Sequence, residues 1–306
     1  MPSHPKAVAT RKVIFFLVAT ACAVFGQRQE DPVFQSGVNL VLMEVSVTNS
    51  KGVPVAALEQ AQFEIKEGRR LLDIVRFEPG STDVSVILVA DCSRSMTPRR
   101  DALNRGVAAL VQQFKAGDEG VLIAFNERVD VVSDFESFSK PSDWLQNLAR
   151  RPMTGQTALY DAVIAASRKL AASSHERRVI IVLSDGADTA STASLDAAFD
   201  EIRSSNGLVY TVGLFNVGEP DTNAGALKRL AEITGGTASF DPNGANLPEV
   251  FEKIMKDLRS RYVLGFYAQS PVPGKVEVRR LSVSAHDSLG KELKVRSRRE
   301  YRIGNR

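Results

Sequence analysis

Three oxygen-bearing side chains stand at alternate positions directly after an apolar run. The run covers residues 84–90, and Asp91, Ser93 and Ser95 follow it. Because the run is short and has no helical period, it predicts a buried strand of a parallel sheet that is covered on both faces. Ligands of open α/β sheets lie beyond the carboxyl ends of the strands, where these side chains would be. A carboxylate and two hydroxyls, with no histidine among them, suit a hard divalent cation.

Two further polar segments occur in similar surroundings. Residues 179–183 form a second apolar run, and Asp185 follows it after one serine. Between the two runs, residues 154–157 form a polar turn that ends in Thr157 and leads into a helical pattern. We therefore expect Thr157 and Asp185 to lie at the same edge of the sheet as Asp91.

The order Asp91-x-Ser93-x-Ser95, then Thr157, then Asp185 resembles the metal-ion-dependent adhesion site (MIDAS) of the von Willebrand factor type A (VWA) family. A single D-x-S-x-S is a weak signal, whereas the three pieces in this order, each at the end of its expected element, form a specific one. The resemblance implies that the two serines and the threonine coordinate Mg²⁺ directly, while the two aspartates hold it largely through water. Mn²⁺ and Ca²⁺ are the alternative ions.

The resemblance also implies how such a site binds a partner. An open coordination position would take a Glu or Asp carboxylate from a protein ligand, so that binding depends on the metal. Magnesium suits this role because it dehydrates reluctantly and needs only a few protein oxygens. Arg94 and Gln156 would lie beside the ion, where they either help to select an acidic ligand or are only solvated.

The rest of the chain indicates the fold around these segments. Apolar strand patterns alternate with helical patterns over residues 82–260, which predicts a doubly wound, mostly parallel α/β sheet and matches a VWA domain in length and order. Residues 27–80 and 261–306 show only β patterns, each too short to bury a core alone. We expect strands of residues 261–306 to pair with residues 38–78 in a β-sandwich-like domain into which the VWA domain is inserted. This order resembles that of secreted bacterial VWA-related domain proteins.

The C-terminal segment has two further features. Residues 259–306 contain twelve Lys or Arg and four Asp or Glu, which predicts either contact with an anionic surface or the solvated face of alternating strands, with docking on an acidic VWA body as one form of the second. We favour the solvated face. The apolar residues before Arg279 and after Arg280 lie in different registers, which predicts a β-bulge at these two residues.

The N-terminal residues predict export. Three basic residues precede the apolar run 13–25, which is too short for a comfortable transmembrane helix, so residues 1–26 are expected to be a secretory signal peptide. The protein would then be periplasmic, on the cell surface or secreted. Lipidation of Cys22 and an uncleaved anchor are the alternatives, and only these would bring the protein to a membrane.

Removal of the signal peptide changes the charge and the cysteine content. Lys plus Arg falls from 39 to 36 against 36 Asp plus Glu, so the mature chain is formally neutral and nothing suggests nucleic-acid binding. Cys92 would be the single cysteine left, which excludes an intramolecular disulfide. We expect Cys92 to be a buried small hydrophobe rather than a reactive thiol.

Three classes of function remain open. The leading one is a non-catalytic, metal-dependent protein-binding or adhesion module. A phosphoryl-transfer enzyme would use Asp91 as its nucleophile, although the second aspartate of such a site, two residues on, is Ser93 here. A structural scaffold would leave the site without a metal. A serine hydrolase and a dinucleotide enzyme are not supported, because the sequence has no G-x-S-x-G and no G-x-G-x-x-G after a strand.

Overall fold

The computed structural model describes residues 39–80, 83–137, 142–216, 219, 222–271 and 275–304. The predicted signal peptide at residues 1–26, Cys22 within it and the start of the N-terminal β segment lie outside this part of the chain. Within it, every helix is too short or too polar to cross a lipid bilayer.

The chain runs through a β flank, an α/β region and a second β flank. The N-terminal flank comprises β1 (Asn39–Thr48), β2 (Phe63–Glu67), β3 (Arg70–Leu72) and β4 (Arg76–Glu78). The α/β region comprises β5 (Ser85–Asp91), α1 (Arg100–Val111), β6 (Glu119–Phe125), β7 (Val129–Val131), β8 (Glu136–Ser137), α2 (Ser142–Arg150), α3 (Leu159–Lys169), β9 (Arg178–Ser184), α4 (Leu195–Ser205), β10 (Leu208–Gly213), α5 (Ala224–Glu232), β11 (Ala238–Phe240) and α6 (Leu247–Ser260). The C-terminal flank comprises β12 (Tyr262–Ala268), β13 (Glu277–Ala285), β14 (Lys294–Arg296) and β15 (Glu300–Ile303).

The α/β region is built on a mostly parallel sheet with the strand order β11-β10-β9-β5-β6-β7. Strands β7 and β8 pair antiparallel with β6, so β7 forms the antiparallel edge of the sheet. Helices α1, α2 and α6 pack on one face of the sheet and α3, α4 and α5 on the other. All seven residues of β5 are buried, which accounts for the unbroken apolar run at residues 86–90. The predicted doubly wound sheet is confirmed.

The two flanks together form two antiparallel sheets with the strand orders β14-β1-β12-β4 and β15-β13-β2-β3. Each sheet contains strands from both flanks; β1 pairs with β12 from Asn39 opposite Ala268 to Val45 opposite Tyr262. A separate apolar core, which includes Ile65, lies between the sheets. The predicted β-sandwich-like structure, built from both flanks around the α/β region, is therefore confirmed.

The predicted β-bulge at Arg279 and Arg280 is wrong. Strand β13 pairs residue for residue, first with β15 and then, from Leu281 onward, with β2. Arg279 occupies an inward position and forms an ion pair with Glu277 at 2.7 Å, while Val278 points outward and is 55% exposed. The apolar register changes because an arginine replaces an apolar residue on the inner face, and the backbone itself is regular.

One partly buried carboxylate, that of Asp257, joins the flanks to the α/β region. Asp257 of α6 accepts hydrogen bonds from Ser46 and Tyr210 at 2.6 Å each, from Arg261 at 2.9 Å and from Arg296 at 2.6 Å. Burial alone would raise the pKa of Asp257, but the two guanidinium groups hold it down at about 2. Arg261 and Arg296 of the C-terminal segment thus dock on the α/β region through Asp257.

Candidate metal centre

The three predicted pieces of the site meet at one edge of the central sheet. Asp91 is the last residue of β5, and Asp185 directly follows β9, the neighbouring parallel strand. Thr157 lies two residues before α3. Backbone hydrogen bonds join its loop to the loop after β5, from Arg94 N to Gly155 O at 3.2 Å and from residue 154 N to residue 92 O at 3.1 Å. The parallel register of β5 and β9 therefore brings both aspartates to the same edge.

Asp91 is fully buried and its carboxylate is held from two sides. Its Oδ1 accepts a hydrogen bond from the backbone N–H of Ser93 at 2.9 Å, and its Oδ2 accepts one from the Ser184 hydroxyl at 2.6 Å. Burial raises the pKa of Asp91 to about 6; these hydrogen bonds oppose the rise, and the nearby negative charge of Asp185 adds to it. No basic side chain is among the main causes of this pKa shift.

The hydroxyl-bearing residues line the same place at different depths. Ser93 is 1% exposed and Thr157 3% exposed, whereas Ser95 is open to solvent. The Oγ atoms of Ser93 and Ser95 are 3.0 Å apart. Thr157 donates its backbone N–H to Thr189 Oγ1 at 3.1 Å, while its own hydroxyl has no hydrogen-bond partner among the described residues. The Thr157 hydroxyl is thus free to serve as a ligand.

A divalent cation fits this donor set. Asp91 and Asp185 are buried, and neither forms an ion pair with any residue that the structure describes. Two adjacent buried carboxylates without a cation are costly, and a cation coordinated by oxygen would remove that cost. In the described part of the chain no cluster of three or more His, Cys, Asp or Glu side chains is placed to hold a metal. A site of two carboxylates and three hydroxyls suits Mg²⁺, Mn²⁺ or Ca²⁺ by its chemistry.

The predicted rim residues, Arg94 and Gln156, are both exposed beside the site. The backbone N–H of Gln156 donates to Glu127 Oε2 at 3.1 Å. Gly155 has φ +80°, and a Cβ at this position would overlap the Glu127 carboxylate. The rim therefore carries a carboxylate as well as the guanidinium of Arg94.

Sequence analysis missed two residues that support the site, Ser184 and Glu127, while Asp161 at the start of α3 has a structural role. No local pattern marks Ser184, because only the register of β9 against β5 places it beside Asp91. Glu127 belongs to the β6–β7 turn, and no local pattern connects it with Thr157. Asp161 accepts hydrogen bonds from the backbone N–H groups of residues 192 and 193 at 2.8 and 3.0 Å. It thereby ties α3 to the loop that follows Asp185.

Cys92 is buried next to the site, as predicted. Burial raises the pKa of its thiol to about 11, with the charge of Asp91 adding to the rise. A thiol with this pKa is protonated at neutral pH and is a poor nucleophile. Cys92 therefore acts as a small apolar residue.

The family model for the von Willebrand factor type A domain matches residues 85–253, more than half of the 306 residues of the chain. The chain belongs to the VWA family. The matched segment of the VWA domain includes all five predicted metal-site residues. VWA domains are in general protein-interaction modules.

Solved VWA structures show the same fold. A von Willebrand factor type A protein from Catenulispora acidiphila has 14% identity and a TM-score of 0.52, and the match covers 79% of this chain and 73% of that one. Proximal thread matrix protein 1 from the mussel byssus, in a structure with a zinc-occupied MIDAS motif, has 15% identity and a TM-score of 0.51, with 64% and 50% covered. No curated protein sequence matches this VWA chain.

Proposed function

We propose that this protein is an exported, non-catalytic VWA module that engages an acidic group of a protein partner through a divalent metal. The observation that carries the proposal is the pair of buried carboxylates, Asp91 and Asp185, which have no ion-pair partner in the described part of the chain and lie at the ligand-binding edge of the sheet. A module of this kind needs a single charge-assisted contact at the centre of its interface, and a metal ion supplies it.

Each residue of the site has a proposed role. Ser93, Ser95 and Thr157 would coordinate the ion directly through their hydroxyls, and Asp91 and Asp185 would hold it through water. The charges of the two aspartates would balance a divalent cation, while their hydrogen bonds to the backbone and to a serine fix their orientation. Mg²⁺ is the proposed ion. Mn²⁺ and Ca²⁺ are competitors, and so is the zinc of the mussel protein.

The proposed partner offers a Glu or Asp side chain to the remaining coordination position. Exposure supports this geometry, because Ser95, Arg94 and Gln156 face solvent while the carboxylates lie below them. The guanidinium of Arg94 would favour an acidic ligand, and the exposed Glu127 would disfavour ligands with further negative charge on its side. Export by the signal peptide at residues 1–26 would place this interaction outside the cytoplasm.

Metal-dependent phosphoryl transfer is less well supported as an alternative. Both oxygens of Asp91 accept hydrogen bonds, and the carboxylate is fully buried, which is a poor arrangement for a nucleophile. The position two residues on carries a serine, so a phosphoryl site would lack a second carboxylate there.

The test is calorimetric titration of the protein lacking residues 1–26 with Mg²⁺, Mn²⁺, Ca²⁺ and Zn²⁺. We expect saturable binding that is lost in the double variant Asp91→Ala, Ser93→Ala and kept in the matched control Asp101→Ala, which removes an exposed carboxylate of α1. Thermal unfolding of each variant checks that it is folded. A wild-type protein that binds none of the four ions would contradict the proposal, and so would a folded double variant that binds as well as the wild type.

A further inference from the structure

A cavity of about 550 Å³ lies at the opposite edge of the central sheet from the candidate metal centre. Its lining includes residues at the starts of β9 and β10 (Arg178 and Leu208) and residues of β1 in the flanking sheet (Leu40, Leu42 and Glu44). The cavity thus lies where the α/β region meets the β-sandwich. Its size is that of a small-molecule site.

Arg298 is the unusual residue of this lining. Arg298 is only 7% exposed. The one hydrogen bond that its side chain forms within the described residues runs from Nη1 to Asn206 Oδ1 at 2.8 Å. No carboxylate described by the structure forms an ion pair with it. Burial lowers the pKa of Arg298 to about 10, with the charge of Glu44 opposing the change, so the group stays charged at neutral pH. Buried arginines normally have a carboxylate partner.

The acidic residues of the lining do not supply that partner. Apart from Asp83, which is exposed, each already has another arginine. The pairs are Glu44–Arg177 at 3.1 Å, Glu78–Arg76 at 2.7 Å and Glu176–Arg76 at 2.7 Å. The guanidinium of Arg298 therefore has no direct carboxylate partner among the described residues, and Glu44 acts on it only at longer range.

The backbone around Arg298 is held firmly in place. Gly235 has φ +85°, and a Cβ there would lie 2.6 to 2.9 Å from backbone atoms of Ser297 and Arg298, so the two chain segments are in close contact. Arg296 Nε donates to the carbonyl oxygen of Gly235 at 2.9 Å. Asn206, which accepts the hydrogen bond from Arg298, ends α4 in the left-handed conformation with φ 56°. A charged group held in this way is preorganised to bind a ligand.

We propose that this cavity binds a small organic monoanion, a carboxylate with a short apolar body, whose head group pairs with Arg298. The buried guanidinium of Arg298, which forms no ion pair within the described residues, matches one carboxylate head group, and the four acidic residues of the lining disfavour a dianion such as a phosphate monoester. The apolar body would lie against Leu40, Leu42 and Val263, which contribute the aliphatic part of the lining. This site is separate from the proposed metal centre and does not depend on it.

Calorimetric titration with hexanoate tests the proposal, and hexanol and acetate separate the contributions of the apolar body and the head group. All titrations contain EDTA, because a carboxylate could otherwise bind a metal at the Asp91 site. We expect Arg298→Gln to weaken hexanoate binding about ten-fold or more, as the loss of a charge-assisted hydrogen bond predicts. The matched control is Arg299→Gln, which removes the exposed arginine next in the chain and should change binding by less than about two-fold.

Several results would overturn the proposal. These are the absence of hexanoate binding, equal binding of hexanol and hexanoate, equal binding of acetate and hexanoate, and unchanged binding by folded Arg298→Gln. If Arg298→Gln does not fold, Leu42→Glu serves as the second variant, because it places a competing carboxylate on the cavity wall. Leu42→Glu should abolish hexanoate binding, and unchanged binding by it would equally refute the site.

Discussion

Replacement of Asp257 by asparagine removes the negative charge at the centre of the contact between the α/β region and the flanks. The carboxylate accepts hydrogen bonds from Arg261 and Arg296, and the side chain of Arg261 is completely buried. Asparagine preserves the size of the side chain but offers one acceptor oxygen and no charge. The variant therefore leaves the guanidinium of Arg261 buried without its counterion.

The structure sets the size of the expected effect. The pKa of Asp257 is held at about 2, below the ordinary value of 3.8, and this difference corresponds to about 2 kcal/mol in favour of the folded state. Removal of one partner from a buried ion pair typically costs about 3–5 kcal/mol, because the other charge stays behind. We therefore expect Asp257→Asn to lower the free energy of unfolding by about 3 kcal/mol.

Urea unfolding at pH 7 and at lower pH measures this change. The pKa of Asp257 is lower in the folded protein than in the unfolded chain. Its contribution to the free energy of unfolding is therefore fully present above the pKa of the unfolded state, and it is lost as the pH falls through the pKa of the folded state. The difference between wild type and Asp257→Asn should accordingly shrink between about pH 4 and pH 2, by about 2 kcal/mol.

A matched control is Asp200→Asn, which breaks the exposed ion pair with Arg203. Its cost should be below about 0.5 kcal/mol, because exposed pairs are solvated in either state. If Asp257→Asn cost no more than Asp200→Asn, or if its effect did not change with pH, the carboxylate would not stabilise the contact in the way described here.

Two further predictions concern other contacts of the fold. Gly235→Ala should lower the free energy of unfolding by more than about 2 kcal/mol, because φ is +85° and the new Cβ would meet the backbone of Ser297. Gly52→Ala, with φ +76° and open space around the new Cβ, should cost about 1 kcal/mol. Similar losses of the two variants in urea unfolding would disprove the steric argument. Asp161→Ala should weaken Mg²⁺ binding at the proposed site about ten-fold, because it releases the loop after Asp185. Asp196→Ala, on the exposed face of α4, is the control and should leave the calorimetric affinity for Mg²⁺ unchanged. If Asp161→Ala bound Mg²⁺ as tightly as the wild type, Asp161 would have no part in positioning the site.

The sequence predicts the central sheet well because its signals are local. The apolar run of β5 ends abruptly at Asp91, and the same change at the end of β9 places Asp185 beside it once the strands are parallel. The family pattern then connects Thr157, whose loop is otherwise an ordinary polar turn. These features depend on neighbouring residues and on one general rule about the edges of parallel sheets.

The features that the sequence does not predict depend on contacts between distant segments. The hydrogen bond of Ser184 to Asp91 follows only from the strand register, and the regular course of β13 through Arg279 follows only from its two partner strands. Arg298 belongs to a basic segment that alternation would place in solvent, yet contact with Gly235 brings it into the interior. A pattern in one segment carries no information about such partners.

The pairing of β4 with β12 has a topological consequence. Glu78 and Val263 stand opposite each other in adjacent antiparallel strands, one immediately before the α/β region and the other immediately after it. A two-residue turn at this position would close an ordinary β-hairpin, so the whole α/β region takes the place of a hairpin loop. Its two ends are fixed about 5 Å apart, the spacing of paired strands. The α/β region is therefore an insertion whose two ends leave the strand pairing of the β-sandwich unbroken.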